Sequence, residues 1–463
     1  MISLTLSPFG GIEWEKVSFS RPMAFVKAAK PITGFKFKSK EHVTQLYSLF
    51  LQQKVITTDS RDCPAGSIFF ALKGETFNGN AYAASALEKG CSYAVIDEPQ
   101  YATDDRFIVV PDVLTALQQL ANEHRKALKT PIIGITGTNG KTTTKELVAT
   151  VLGKKYNVLY TQGNFNNHIG VPKTLLQLTK EHDLAVIEMG ANHPGEIKTL
   201  VNIVEPNCGL ITNVGKAHLE GFGSFEGVIK TKGELYDYLR ANNGKVFIDS
   251  ENEYLMNISS GLDLIPYVKG EVIDCAPYLH FQWQGGEIMT HLIGAYNIKN
   301  MMAAATVGLH FGVSESDIND ALSGYIPSNN RSQLTVTSHN KLIVDTYNAN
   351  PTSMMAALQN FSIMQVSPKM AILGDMRELG EVSAAEHQKV VDFLLHEEAS
   401  AKEGELLIWL VGKEFGNTKC HFRKFPDVAA VKQALQEEGV PSGYHILIKG
   451  SNGIRLFELP ELL

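Results

Sequence analysis

The sequence predicts an α/β fold of three domains, with a central P-loop-type parallel sheet and a Rossmann-like C-terminal domain. Three observations predict it. Short, apolar, β-branched runs alternate with helical patterns along most of the chain. One alternation encloses the glycine-rich stretch Gly134-Ile135-Thr136-Gly137-Thr138-Asn139-Gly140-Lys141-Thr142-Thr143-Thr144. The length, 463 residues, corresponds to roughly three domains of about 150 residues each.

The elements follow in order. Residues 1–40 are unlike the rest, with Pro8, Pro22, Pro31 and the basic run Lys36-Phe37-Lys38-Ser39-Lys40, and are expected to be a loosely ordered extension. The first domain, 41–127, has strands at 67–72 and 93–96 and helices at 81–88 and 113–127. The second, 128–326, opens with the strand Pro131-Ile132-Ile133 that feeds the glycine loop, followed by a helix at 145–152. Further strands lie at 184–187 and 209–212, and a helix starts at 294–300 and runs to 305. Pro327-Ser328-Asn329-Asn330 reads as a linker. The third domain, 327–463, repeats the alternation with strands at 342–344, 370–373, 406–411 and 445–448, which is enough for a separate Rossmann-like sheet.

Strand, glycine loop and helix together make a phosphate cradle. Glycines let main-chain N–H groups approach the anion, and the helix N-terminus favours negative charge. Lys141 adds a point charge, and Thr142 is placed to ligate Mg²⁺. The spacing departs from the common P-loop, which wants a glycine where Ile135 stands; the glycines fall at 134, 137 and 140. A bare glycine turn is the competing explanation, and the Gly-Lys-Thr ending in this strand–loop–helix context weighs against it.

Composition excludes several classes. Hydrophobic content of 44% and charged content of 20% are those of a globular soluble protein. A net charge of −7 gives no basic face for nucleic acid. Cys63, Cys91, Cys208, Cys275 and Cys420 have no zinc-like spacing and fit a reducing compartment. No apolar run approaches the ~18 residues of a membrane span, and Pro8, Gly10, Gly11, Glu13 and Glu15 interrupt any secretory core. A cytoplasmic protein is expected, with no nucleic-acid and no membrane partner.

Polar clusters sit just past the predicted strand ends, where open α/β sheets bind ligands. They are Glu188-Met189-Gly190 and Asn213-Val214-Gly215-Lys216-Ala217-His218. Alone, Glu188 reads equally well as a loop-capping carboxylate, and His218 as a structural histidine. Asn166 and Asn167, in an amide-rich loop, read as turn residues. Lys232 reads as a lysine on a solvated helix face, and Asn297 as a helix cap.

As a set, these motifs resemble the Mur ligase family over nearly all of residues 50–463. The family's T-G-T-N-G-K-T loop matches Thr136-Gly137-Thr138-Asn139-Gly140-Lys141-Thr142. Its E-M-G, N-x-G-x-x-H and G-x-x-N-x-x-N elements follow in order. Asp345-Thr346-Tyr347-Asn348-Ala349-Asn350-Pro351 and Leu373-Gly374-Asp375-Met376-Arg377-Glu378-Leu379-Gly380 are similar to motifs of the member that adds a D-alanyl-D-alanine dipeptide. Asp59-Ser60-Arg61 and Gly74-Glu75-Thr76-Phe77-Asn78-Gly79-Asn80 resemble the segments that hold a UDP-sugar. Two departures stand out. The second of these segments ends in Asn-Gly-Asn where Asp-Gly-His is common. Lys449-Gly450-Ser451-Asn452 has Asn where K-G-S-R is frequent.

The resemblance implies a UDP-substrate-binding domain, a central ATPase domain and a C-terminal ligase domain. It implies ATP-dependent addition of D-alanyl-D-alanine to UDP-N-acetylmuramoyl-tripeptide through an acyl phosphate, in peptidoglycan synthesis, by a monomer. ATP would lie on Gly137, Thr138, Asn139, Gly140, Lys141, Thr142 and Thr143, with Asn297 and Asn300 near the adenine and Asp345 at the ribose. Arg331 would reach the γ-phosphate. Thr142 and Glu188 would bind one Mg²⁺, and His218 a second with a carbamylated Lys232. Ser60, Arg61, Asn166 and Asn167 would hold the UDP-linked substrate, and Asn348 and Asn350 the dipeptide. Three alternatives remain at this point. The sister ligase adding the third amino acid carries a D-N-P-R-type motif that is missing here. Folylpolyglutamate synthase is disfavoured by the separate domain at 41–127. A non-catalytic nucleotide-binding protein would have no use for Lys141, Glu188, His218 and Lys232 together.

Overall fold

The structure, a computed structural model, describes residues 40–327, 333–400 and 405–463. The expected extension up to residue 39, most of the linker and Arg331 lie outside the described residues. Among the described residues, no helix is long and apolar enough to cross a membrane.

The first unit comprises α1 (Lys40–Gln53), β1 (Ile56–Thr57), β2 (Ile68–Phe70), α2 (Ala83–Glu88), β3 (Tyr93–Ile96), β4 (Phe107–Val109) and α3 (Val113–Leu128). Its four strands form a parallel sheet in sequential order. Asp112 caps α3, its carboxylate accepting from the N–H of Thr115 at 2.7 Å. The amphipathic spacing of α3 buries Leu117 and Leu120, whose cluster continues into Ile187 and Leu200 of the next unit. Buried Arg125 reaches across to the carbonyl of Val204 (3.0 Å) and the amide of Asn207 (2.9 Å). The boundary expected at 127/128 falls within the last turn of α3, and packing runs across it.

The central unit contains β5 (Ile132–Thr136), α4 (Lys141–Leu152), β6 (Val158–Tyr160), α5 (Gly170–Leu175), β7 (Leu184–Glu188), α6 (Glu196–Val204), β8 (Cys208–Ile211), α7 (Leu219–Phe222), α8 (Phe225–Ala241), β9 (Lys245–Ile248), α9 (Glu253–Asn257) and β10 (Asp263–Pro266). The six strands are parallel, in the order β10-β9-β8-β5-β7-β6. β5 is buried throughout, as an apolar run covered on both faces must be. Ile135 pairs with Glu188, and Thr136 with Ile211. This register sets the glycine loop, Glu188 and the loop after β8 side by side.

Sequence patterning missed a three-stranded antiparallel sheet, β11 (Glu271–Cys275), β12 (Tyr278–Trp283) and β13 (Gly286–Ile293), which precedes α10 (Ile298–His310) and α11 (Glu315–Gly324). It is half-buried: Phe281, Trp283 and Ile288 face the core, while Met289 is 69% exposed.

The C-terminal unit holds β14 (Gln333–Val336), β15 (Lys341–Asp345), α12 (Pro351–Ile363), β16 (Lys369–Gly374), α13 (Ser383–Ser400), β17 (Leu406–Val411), α14 (Lys413–Gly416), β18 (Arg423–Phe425), α15 (Val428–Glu438) and β19 (His445–Lys449). The sheet order is β14-β15-β19-β16-β17-β18, with only β14 antiparallel. Because β19 inserts between β15 and β16, Lys449 pairs with both Asp345 and Leu373. α12 and α13 pack on one face through Met354, Leu358 and Val391, and α15 on the other through Val431 and Leu435.

Candidate active site

The C-terminal ends of the two six-stranded sheets face each other across a cleft of about 1010 Å³. The glycine loop, Glu188 and His218 line one wall; Asp345, Asn348, Glu378, Lys449 and Asn452 line the other.

The loop conformation demands its glycines. Gly137 has φ +143°, and a Cβ there would stand 2.0 Å from the hydroxyl of Thr212. Gly140 has φ +77°, with the Asn300 amide 2.7 Å from where its Cβ would be. Bonds to the neighbouring strand end fix the loop: Asn139 N–H donates to the Asn213 side chain (3.0 Å), and the Thr212 hydroxyl donates to the Asn139 carbonyl (2.6 Å). Gly140 begins α4 with no side-chain cap, so the first-turn N–H groups face the cleft end of the helix. Lys141 Nζ donates to the Thr138 carbonyl at 2.9 Å. Thr142 is buried, and Thr143 lines the cleft. Asn300 accepts from the Thr144 hydroxyl (3.0 Å) and donates to Asn297 (2.8 Å), which donates to the Ile293 carbonyl (2.8 Å). The two asparagines thus tie α10 to the loop and still present atoms to the cleft.

Glu188 is 1% exposed. One carboxylate oxygen accepts from Asn166 at 2.8 Å; the other is buried with no hydrogen-bond partner. An orphaned carboxylate oxygen costs free energy unless a cation or donor meets it. Such an oxygen suits a hard, oxygen-seeking ion such as Mg²⁺. Asn167 also lines the cleft, but its side-chain oxygen accepts from the N–H groups of Ile169 (3.1 Å) and Gly170 (2.8 Å), the turn role its sequence suggests.

Lys232 departs from the solvated helix face that its local pattern alone suggests. It lies on α8 but on the inward face, 2% exposed, donating to the Ala191 carbonyl at 3.1 Å and standing 5.1 Å over the Phe222 ring. Burial, and then the charge of Lys141, holds its pKa well below the usual lysine range. His218 has φ +50° at the start of α7. Burial lowers its pKa, opposed by the Glu378 carboxylate that pairs with its Nδ1. Among the described residues, no three or more His, Cys, Asp or Glu side chains gather as a metal cluster. A cation between His218 and Lys232 would therefore need the lysine as a carbamate, since an amine alone is a poor ligand for a hard ion.

On the C-terminal wall, Asp345 is paired with Lys449, which is 1% exposed, at 2.5 Å. Asn350 departs from its expected role. Its side chain caps α12, accepting from Ser353 N–H at 2.9 Å, and donates to Asn139 of the glycine loop at 2.7 Å. It is buried at the seam between the domains rather than open to a dipeptide. The seam also includes Thr352 on Lys216 N–H (3.3 Å) and Lys216 on Glu386 (3.2 Å). Sequence reasoning missed Glu378 as a partner of His218; it was visible only as a charged residue in the L-G-D-M-R-E-L-G stretch. Ser60 and Arg61 are not brought into this cleft. The Arg61 side chain is 87% exposed and forked onto Asp59 (2.9 and 2.7 Å), and Lys89 binds the Ser60 carbonyl (2.7 Å).

Comparison with known proteins agrees with this architecture. Residues 53–125 match the model of the Mur ligase family catalytic domain, 135–308 the Mur ligase middle domain, and 330–452 the Mur ligase glutamate ligase domain. The UDP-N-acetylmuramoyl-tripeptide–D-alanyl-D-alanine ligase of Bacillus subtilis is 34% identical over 424 residues, covering 87% of this chain and 92% of its own. A crystal structure of MurF from Acinetobacter baumannii superposes with a TM-score of 0.77 at 31% identity, over 88% of this chain and 92% of that one. The MurF ligase of Thermotoga maritima, solved with ADP, has the same fold (TM-score 0.77, 24% identity, covering 89% of this chain and 97% of that one). The chain belongs to the Mur ligase family.

Proposed function

We infer that the protein is an ATP-dependent ligase that joins D-alanyl-D-alanine to UDP-N-acetylmuramoyl-tripeptide, forming a C–N bond in peptidoglycan synthesis. The observation that carries this reading is the single cleft in which the phosphate loop faces the Asp345–Pro351 loop, joined through Asn139 and Asn350. The activity named for the Bacillus subtilis relative supports it. A small-molecule enzyme of the cytoplasm, acting as a monomer, is the corresponding setting.

In the reaction, the terminal carboxylate of the tripeptide attacks the γ-phosphorus of ATP, giving an acyl phosphate and ADP. The amine of the dipeptide then attacks the acyl carbon; an amide forms, phosphate leaves, and the amine loses a proton. Two anions must meet in the first step, so cations and N–H donors dominate the site. The backbone of Gly137, Thr138, Asn139 and Gly140, with Thr143, cradles the phosphates, and Lys141 turns from the Thr138 carbonyl to the β- and γ-phosphates. Thr142 and Glu188 would hold one Mg²⁺, and His218 and a carbamylated Lys232 would hold a second; bound there, Mg²⁺ would supply neutralising charge. Burial, and then the charge of Lys141, lowers the Lys232 pKa, which favours the unprotonated amine that takes up CO₂. Asn297 and Asn300 flank the adenine, Asp345 meets the ribose, and Arg331 reaches the γ-phosphate. Ser60, Arg61, Asn166 and Asn167 hold the UDP-linked substrate, and Asn348 the dipeptide. Closure of the cleft keeps water from the acyl phosphate.

The test uses tripeptide substrate labelled with ¹⁸O in its terminal carboxylate. Ligation by this route transfers one labelled oxygen to the released phosphate and adds one dipeptide to the product mass. Product without label in phosphate would rule out the acyl phosphate, and no product would rule out the ligase.

A further inference from the structure

We propose that Glu378, from the C-terminal domain, is a positioning residue for His218 of the central domain. From across the domain seam it fixes the imidazole tautomer and ring orientation that the second cation site needs. The proposal rests on the ligase reading above and adds to it the residue that prepares His218 for its ion.

Both residues line the cleft, and the Glu378 carboxylate pairs with His218 Nδ1. An ionised carboxylate can only accept a hydrogen bond, so the ring hydrogen of this pair sits on Nδ1. In the neutral imidazole that leaves the lone pair on Nε2, the atom then available to a cation. A carboxylate on the far nitrogen also makes the ring a stronger metal ligand and holds its plane. The His218 ring stands edge-on to Phe222, with centroids 6.2 Å apart, and Lys232 Nζ lies 5.1 Å over the same phenyl. His218 and Lys232 therefore gather around one phenyl ring.

The backbone is bent to make this pair. His218 has φ +50° and Glu378 φ +62°, the left-handed region that residues with a Cβ rarely adopt. Such conformations persist where the surrounding structure imposes them, and they concentrate at functional sites. Each loop is anchored in its own domain. On the C-terminal side, Asp375 accepts from the N–H groups of Glu414 and Phe415 (2.9 Å each), Met376 N–H donates to the His387 ring (3.0 Å), and Arg377 N–H donates to the Ser451 hydroxyl (3.0 Å). Three consecutive residues are thus fixed just before Glu378. On the central side, Gly215 N–H donates to the hydroxyl of Thr138 in the phosphate loop (3.0 Å). The two loops then meet through the main chain, where Glu220 N–H donates to the Glu378 carbonyl (3.3 Å). A carboxylate held this firmly in one domain sets the ring of the other before any ion arrives.

The experiment reads the His218 ring directly, by NMR of the full chain with ¹⁵N-labelled histidine rings and no metal; His218→Gln identifies the signal. The proposal expects hydrogen on Nδ1 in wild type. Glu378→Ala should move His218 to the other tautomer or to a mixture, whereas Glu378→Gln should keep Nδ1–H, because the amide oxygen accepts the same bond. In a ligation assay, Glu378→Ala should raise the Mg²⁺ concentration for half-maximal rate at least about tenfold, the scale of a lost partner behind a metal ligand, and Glu378→Gln should recover most of it. KM for D-alanyl-D-alanine should stay put. The same tautomer in wild type and Glu378→Ala overturns the proposal, and so does a changed tautomer with an unchanged Mg²⁺ requirement. Both outcomes leave the ligase reading intact. A wild-type protein that holds the Nδ1–H tautomer but ligates no dipeptide overturns the ligase reading and, with it, the cation role proposed for the pair.

Discussion

The two six-stranded sheets put their polar residues at the same place, the C-terminal ends of their inner strands, but in different states. At the central sheet, one Glu188 oxygen has no partner, and Lys232 is buried with a single carbonyl as its hydrogen-bond acceptor. At the ligase sheet, Lys449 is neutralised by Asp345, and both oxygens of Asp375 accept N–H groups, from Glu414 and Phe415 at 2.9 Å each. The first end is left unsatisfied by the protein itself, which is the condition of a site built for ions and phosphates. At the second, the buried Thr346 hydroxyl beside Asp345 also lacks a partner, but the charged groups Asp345, Lys449 and Asp375 are completed within the protein and hold loops in place. For these charged groups, a carboxylate oxygen the protein leaves without a partner marks the ion-binding end, and carboxylates it completes mark the end that holds loops.

That contrast can be broken at either end. Lys141→Ala should lower the ligation rate at least about a hundredfold, the scale of a lost phosphate contact in the transition state, while the melting temperature stays near that of wild type. Retention of a tenth of the activity would count against the role. Lys232→Ala should be nearly inactive and partly recovered by a short-chain carboxylic acid in the assay, because the acid restores the anionic oxygens of the carbamate. Full activity without the acid would mean that Lys232 is only a packed lysine. At the other end, Asp375→Ala should lose about 2–3 kcal/mol in urea unfolding, from two main-chain donors left without an acceptor; an unchanged midpoint would show that the ligase end is not built as described. Removing residues 1–40 should have the smallest effect, leaving melting temperature and activity nearly unchanged, since their composition differs from the rest and the family match begins at residue 53.

Much of this was legible in the sequence, for physical reasons. Buried parallel strands read as apolar runs, so 184–187 and 406–411 were placed within a residue of β7 and β17. The glycine loop was legible because its φ values and close approaches admit no side chain. The sheet of β11–β13 was not, because its strands are half-exposed and irregular, with register shifts near Val272 and Tyr278. The burial of Lys232 is not legible in the local pattern, since lysine usually faces water; only the resemblance to the family motif marks it as a site residue. Asn350 illustrates the opposite limit. A motif marked it as important, but whether its amide meets a substrate or caps a helix depends on tertiary contacts that no local spacing encodes.

The choice of amine decides between this ligase and its sister enzymes. It is measured by phosphate release from ATP by the purified protein, with UDP-N-acetylmuramoyl-tripeptide present and the amine varied. Release should depend on D-alanyl-D-alanine and stay close to background with single amino acids. Release driven by a single diamino acid on the UDP-dipeptide, with none from D-alanyl-D-alanine, would contradict this reading.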